Sequence, residues 1–474
     1  MTDPNESTPR EAIAPYLAKT RWFGGKGRDF EVGEVRRVAT LGDGDPWVDV
    51  LVVELRYADG DVEHYQVPLT LYTDPERRLD HAFLGWWEDA ERGWVHAYDA
   101  LHDREATRLW LLGFVAAREA DSGAGGTAEV GGLTFHRLPG YDLDVEAVGS
   151  LFSGEQSNSS VLFGEDSILK LFRKVTPGAN PDVTVHDVLT RAGSTHVAHL
   201  YGWVAAGEGA DEVHLGMLQQ FLRTATDGWD LALSSIRDLY ADPEMAAREA
   251  GGDFSGEAGR LGEALREVHD TLRAELPVDT SSAPSPAAVA AAMNRRLDAA
   301  LGVVEGLGAH AETLRSVYDA LARLDHLEVQ TVHGDLHLGQ TLRTALGWKI
   351  VDFEGEPAKT LAERLEPDSP WRDVAGMLRS FDYAPHVVEQ QQADWTQSDD
   401  ESLDERRARG LEWAERNQRY FLAAYAGGDL SDEQDLLVHA YLADKAVYEA
   451  VYEARNRPDW VGIPLAGVAR IGAR

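Results

Sequence analysis

Two short polar strings place the strongest constraint on how this chain can fold. The first is Val332-His333-Gly334-Asp335-Leu336-His337-Leu338-Gly339-Gln340; after ten residues comes Val351-Asp352-Phe353-Glu354. Between them, Gln340–Thr344 and Trp348–Val351 straddle Ala345–Gly347 and read as two strands about a tight turn. A hairpin there brings the ends of the block together and sets Asp335 near Asp352. Phosphoryl transfer from a nucleotide asks little of a protein. One carboxylate orients the attacking hydroxyl and takes its proton, and further oxygen ligands hold Mg²⁺ on the phosphates. A loop H-x-D-x-x-x-x-N followed by an aspartate at a strand end supplies these groups. Asp335 is therefore the candidate base. Gln340, standing where asparagine is usual, and Asp352 are the candidate Mg²⁺ ligands.

The rest of the chain has to accommodate that block. Its 474 residues are too many for one ordinary core, so more than one lobe is expected. Lys and Arg total 45 against 81 Asp and Glu, a net charge of −36, which repels nucleic-acid phosphates and anionic membranes. With no cysteine, disulfide scaffolds, thiolate nucleophiles and cysteine-bound metals are excluded. The start MTDPNESTPREAIAPYL lacks a signal-peptide pattern, and no 18-residue uncharged apolar run occurs. A cytoplasmic, monomeric protein without nucleic-acid or membrane partners is the expectation.

Along the chain three segments differ in pattern. Residues 1–125 read as a mixed N-terminal cap, with a helix at Ala12–Leu17, strands at Val48–Arg56 and Glu63–Leu69, and a turn at Asp59-Gly60-Asp61. Residues 126–222 form a β-rich lobe, with strands at Gly131–Arg137, Asn158–Phe163, Ser167–Phe172 and His214–Phe221. Residues 223–474 are mainly helical. Leu261, Ala264, Leu265, Val268 and Leu272 follow helical spacing, and a helix is expected to begin near Pro284. A second strand cluster is expected at Gln330–Val332 and Trp348–Phe353. The charged stretch Gln397–Arg409 reads as a solvated loop running into a helix.

The β-rich segment offers groups for a nucleotide. Gly154-Glu155-Gln156-Ser157-Asn158-Ser159-Ser160 is a polar turn whose small side chains let N–H groups and hydroxyls face phosphate oxygens, so Gln156, Ser157, Asn158, Ser159 and Ser160 are candidates. Lys170 lies inside the apolar run Ile168–Phe172, where an ammonium is costly unless it meets an anion. Met217–Phe221, with Gln219 and Phe221, stands where backbone could meet an adenine edge. The order of polar turn, strand lysine, catalytic loop and metal aspartate is that of eukaryotic-type kinases. Gly24-Gly25-Lys26-Gly27 lacks phosphate-loop spacing and reads as a turn packed with Trp22.

With these motifs in place, the chain resembles the actinobacterial maltokinases, of the aminoglycoside-phosphotransferase-like branch of the protein-kinase-like superfamily. The likeness is carried by RWFGGKGR (21–28), GEQSNSS (154–160), HGDLHLGQ (333–340), VDFEGEP (351–357), RDVAGMLRSFDYA (372–384) and YEAVYEARNRPDWVGIPL (448–465). The resemblance implies an α+β, bilobal protein-kinase-like fold with an additional N-terminal cap. It implies ATP- and Mg²⁺-dependent phosphorylation of the anomeric hydroxyl of maltose, a place between trehalose and α-glucan, and association with a trehalose-isomerising enzyme. Bacterial glucosamine kinases share much of the pattern. Thr184 stands where the family carries the glutamate that pairs with the strand lysine, and Asp182 or Asp187 is the alternative partner.

For the acceptor, Tyr448, Tyr452 and Arg455 fall at i, i+4, i+7, with Glu449, Glu453 and Asn456 on the adjoining stripe and Trp460 beyond Pro458. Aromatic faces, carboxylates and an arginine suit a sugar. Carried over by resemblance, His337, Tyr448, Glu449, Tyr452, Glu453, Arg455 and Trp460 are the candidate sugar contacts. Lys445 with Glu449 reads as a helical i, i+4 pair, and Arg372 with Asp373 as an internal ion pair at a helix start.

Overall fold

The computed structural model describes residues 8–117, 125–152, 157–279, 283–357, 359–393 and 400–471. It divides into two compact units. One comprises the chain up to Thr184 together with Ala198–Arg223; the other comprises Val185–Val197 and the chain from Thr224.

The first unit is built on two antiparallel sheets. In the first sheet the strand order is Phe30–Leu41, Trp47–Tyr57, Val62–Tyr72, Gly93–Asp99, Phe83–Asp89, and Lys174–Val175 adds to Val62–Tyr72. Alternation explains why Trp47–Tyr57 is apolar at almost every position. Val48, Val50 and Val52 point into one hydrophobic cluster, and Leu51, Val53 and Leu55 into another on the opposite face. That second face is covered by the helix Pro9–Lys19 and by Trp22 and Phe23, and residues 24–27 form the turn expected beside Trp22.

The second sheet has seven strands in the order Gly126–Val130, Leu133–Arg137, Leu200–Ala206, Val213–Gln220, Ser167–Leu171, Ser159–Phe163, Gly149–Phe152. The helix Arg104–Ala116 packs on this sheet, in the same cluster that takes Val48, Val50 and Val52 of the first sheet. Trp110, Leu111 and Phe114 share its cluster with Leu133 and Phe135. A Cβ on Gly113 would lie 2.3 Å from the ring of Phe135, so the close approach needs glycine.

Arg173 ties the two sheets together. It is 1% exposed. Its Nε donates to Ser159 Oγ at 2.8 Å, an Nη lies 3.3 Å from Asp99, and the guanidinium stacks 4.3 Å from the Trp22 ring centre. Its carbonyl accepts from the Gln66 N–H at 2.7 Å.

The second unit is helical. Gly228–Ala241, Ser255–Glu275, Pro286–Leu301, Ala311–Leu321, Trp371–Ala393, Asp400–Ala426, Asp432–Asn456 and Gly462–Ile471 bury one continuous core. Thr226–Asp227, Thr341–Thr344 and Gly347–Ile350 form a three-stranded sheet whose hairpin is the one expected, Thr341 pairing with Ile350 and Thr344 with Gly347. Gln330–Val332 is not a strand: Gln330 makes a lone bridge to Asp368 before the chain bends into Gly334, whose φ is 84°. The strand after the hairpin turn also ends early, at Ile350, because Asp352 takes a φ of 67°, outside extended backbone. Of the charged stretch, 397–399 lies outside the described residues and the chain is helical from Asp400. Among the described residues no helix is long and apolar enough to cross a membrane.

Arg173→Ala strips the buried Asp99 carboxylate of its cation. It is expected to cost about 3–5 kcal/mol, visible as a lower urea midpoint for the N-terminal unit; an unchanged midpoint would show that Arg173 does not tie the sheets.

Candidate active site

The loop carrying Asp335 is fastened from below. Asp373, in the first turn of the helix Trp371–Ala393, is buried and accepts the backbone N–H of His333 at 2.7 Å and of Gly334 at 2.9 Å. The Nε2 of His269, on the helix Ser255–Glu275, lies 3.1 Å from the same carboxylate, and the hydroxyl of Tyr425 lies 2.9 Å from His269 Nδ1. Burial alone would raise the Asp373 pKa. The hydrogen bond from His269 and the neighbouring imidazoles and amides outweigh it and hold the carboxyl below its ordinary value. Arg372 does not pair with Asp373, as the sequence suggested. A carboxylate filled by backbone donors leaves no place for it, and Arg372 bonds Asp368 at 2.9 Å and Glu356 at 3.1 Å. The same helix approaches the loop so closely that a Cβ on Gly376 would lie 2.4 Å from the Leu336 carbonyl oxygen.

His333 joins the loop to the segment after the hairpin. The N–H of Asp335 donates to His333 Nδ1 at 3.4 Å, so Nε2 carries the proton and donates to the Val351 carbonyl at 2.9 Å. The hairpin places Gln340 beside Asp352: the Val351 N–H donates to the Gln340 carbonyl at 3.0 Å, and Gln340 Nε2 to Asp352 Oδ2 at 3.2 Å. Spending its NH₂ on Asp352 orients the amide oxygen of Gln340 as an acceptor. Glu354 adds a carboxylate oxygen within 4.8 Å of one from Asp352, a contribution that the sequence pattern did not single out. An amide oxygen and two carboxylates make an all-oxygen donor set, which suits a hard divalent cation such as Mg²⁺.

Asp335 opens into a cavity of about 770 Å³. Of the residues read as sugar contacts, His337, Tyr448, Glu449, Tyr452, Glu453 and Trp460 line it. Arg455 does not; it is exposed. The lining face of the helix Asp432–Asn456 runs through Lys445, Tyr448, Glu449, Tyr452 and Glu453, so its centre lies round the helix from the expected stripe and leaves Arg455 at the edge. Arg457, turned back past the helix end, takes that place. It grips Glu453 with two bonds of 2.9 and 2.7 Å and lies 4.4 Å from the Trp460 ring centre. Trp229, which no motif singled out, and Tyr383, which lies in the motif RDVAGMLRSFDYA but was not read as a sugar contact, complete the aromatic wall.

Every carboxylate in this wall has a cation. Lys445 lies 3.6 Å from Asp335, not on Glu449. Glu449 instead binds buried Arg379 at 2.8 Å; burial still lifts its pKa, and Arg379 only partly offsets this. Glu453 has Arg457 and accepts from the Tyr383 hydroxyl at 3.2 Å, and Glu356 has Arg372, with Lys359 at 3.7 Å. His337 is mostly buried, which lowers its pKa despite the nearby Asp335, and its Nδ1 accepts the Gly339 N–H at 3.1 Å, so the ring is neutral near pH 7.

In the first unit, Lys170 is 7% exposed and forms a 2.9 Å ion pair with fully buried Asp182. Asp182 thus takes the role open at Thr184, whose hydroxyl donates to the Asn180 carbonyl, while Asp187 binds Arg191 at 2.7 Å. Gln156 lies outside the described residues, and Ser157 is exposed. Asn158 and Ser159 face Arg173, and Ser160 is wholly buried opposite Lys170 in the sheet. The strand Val213–Gln220 is paired on both edges and the Phe221 N–H donates to the Asp166 carbonyl. That N–H is therefore not a donor for a base, although Gln219 and Phe221 remain half-buried.

Asp373→Asn should weaken the grip on the loop and lower turnover about 100-fold, the scale of an ångström's misplacement, with nucleotide affinity retained; equal loss of both would mean that the variant has lost its fold.

Residues 16–103 match the maltokinase N-terminal cap domain, and residues 148–416 match the phosphotransferase enzyme family. A glucosamine kinase of Streptacidiphilus jiangxiensis is 30% identical over 325 residues, 65% of this chain and 70% of that protein. A glucosamine kinase of Mycolicibacterium smegmatis (strain ATCC 700084 / mc(2)155) is 26% identical over 336 residues, 66% and 77% of the two. The structure of a glucosamine kinase with glucosamine, ADP and inorganic phosphate superimposes with a TM-score of 0.64 at 23% identity, covering 98% of this chain and 99% of that one. On these matched segments the chain belongs to the phosphotransferase enzyme family, as a kinase of the aminoglycoside-phosphotransferase type that carries a maltokinase N-terminal cap.

Proposed function

We propose that this kinase phosphorylates a neutral sugar, and that the acceptor is the anomeric hydroxyl of maltose, giving maltose 1-phosphate and ADP from ATP. The observation that carries the reading is the charge state of the cavity at Asp335. Each lining carboxylate is neutralised by a cation of the protein itself. A cationic acceptor would have to compete with Lys445, Arg379, Arg457 and Arg372 for those oxygens. A neutral sugar needs only their spare lone pairs and the faces of Tyr448, Tyr452 and Trp460.

In this reading Asp335 accepts the proton of the attacking hydroxyl as the new P–O bond forms and the bond to the leaving ADP breaks. Lys445 stays beside Asp335 and limits the charge that the site must carry before transfer. Gln340, Asp352 and Glu354 would hold Mg²⁺, which when bound offsets charge on the phosphates. Lys170, held by Asp182, and the exposed Ser157 would contact the nucleotide. His337, neutral, offers Nε2 to a sugar hydroxyl. Glucosamine is the second reading, favoured by the two glucosamine kinases that align with two thirds of this chain.

An ADP-release assay across maltose, glucose, glucosamine, trehalose and an aminoglycoside separates the readings. Maltose should give the highest kcat/KM. A preference for glucosamine would overturn the maltose assignment and leave the kinase intact; no turnover with any acceptor would count against both. Asp335→Asn should lower kcat by about 10²–10⁴ with ATP still bound, and near-normal turnover would remove it as the base. Asp352→Ala should abolish the Mg²⁺ dependence of nucleotide binding in titration calorimetry; unaltered dependence would exclude it as a ligand.

A further inference from the structure

The proposed acceptor cavity is not alone in having sugar-like chemistry. Within the first unit a second cavity, of about 730 Å³, lies between the helix Pro9–Lys19, the segment Asp80–Gly85 and the strand Gly149–Phe152. It is close in volume to the cavity at Asp335 and shares none of its residues. Its aromatic wall is supplied by Tyr16, Phe83 and Phe152; one face of Trp22 is taken by Arg173. Phe83 and Phe152 are 41% and 40% exposed, large apolar surface kept at a concave site and not buried in the adjoining clusters.

The polar lining matches hydroxyl groups and no particular ion. Asp99 is buried and held by the Tyr16 hydroxyl and Arg173, with its position thereby set. The His81 and His102 rings meet edge to face at 5.1 Å, and burial lowers the His102 pKa, leaving its imidazole neutral near pH 7. The remaining charges are mixed, Glu11 and Asp80 against Lys19 and Arg21, so no net field selects an anion or a cation. Aromatic faces with fixed carboxylate and neutral imidazole partners are the groups that recognise a polyhydroxylated ring.

We infer that this cavity is a second, non-catalytic carbohydrate site. It also touches Asn158 and Ser159, the described end of the polar turn read as a phosphate cover, so an occupant would contact the same residues that Arg173 holds. The inference stands apart from the acceptor assignment, although the choice of sugars to test rests on it.

Equilibrium dialysis of the full chain with radiolabelled maltose, glucosamine and trehalose, without nucleotide, tests the site. At least one sugar should bind at two per chain. Phe83→Ala combined with Phe152→Ala, both at exposed rings, should reduce that to one with the circular dichroism spectrum unchanged. His102→Ala should weaken the same site at least about threefold. Tyr452→Ala should remove the other site. A stoichiometry of one or none for all three sugars, or two per chain retained in the double variant, overturns the inference. If Tyr452→Ala leaves the stoichiometry at two, the acceptor assignment fails while the second site stands.

Discussion

The site in the C-terminal unit depends on one buried carboxylate, that of Asp373. Asp373 gathers the N–H groups of His333 and Gly334 and the imidazole of His269. A charge with no solvent around it is costly, and here each cost is met by a donor with a fixed direction. The donors are the backbone of the loop itself, so stabilising the charge and shaping the loop are the same event. Gly334 can adopt its φ of 84° without strain, and Asp335 follows it directly.

From that fixed point the geometry propagates through hydrogen bonds whose donor and acceptor roles are unambiguous. The proton on His333 is placed by the Asp335 amide on one nitrogen and the Val351 carbonyl on the other. The hairpin then returns Gln340 to Asp352. The candidate base and the candidate metal ligands are thus linked through main chain and one imidazole, all within one unit.

The cavity at Asp335 shows a second economy. Four carboxylates line it, yet Lys445, Arg379, Arg457 and Arg372 each stand against one of them. In a chain of net charge −36, such pairing separates local from global electrostatics. The cavity itself presents oriented lone pairs with little net field. Arg457 serves twice, holding Glu453 and covering the Trp460 ring, so the aromatic wall and the ion pairs set each other's position.

Much of this was legible in the residues alone. The hairpin was readable because a turn between two short runs has strong local preferences, and with it the approach of Gln340 to Asp352, because their spacing is a property of the chain. The two-faced burial of Trp47–Tyr57 shows in its unbroken apolar run. What the sequence could not decide was the pairing of charges, since an ion pair depends on which helices pack together. Lys445 chose Asp335 over Glu449, Arg372 chose Asp368 and Glu356 over Asp373, and Asp182 answered Lys170 only once the strand and the helix start were in register. Helical spacing put Arg455 among the candidate sugar contacts, but which arc of a helix faces a cavity is set by its neighbours, and Arg457 lines the cavity in its place. The local alphabet of the site was determined by sequence; its charge balance was decided by tertiary packing, because Coulomb energy follows distance in space and not along the chain.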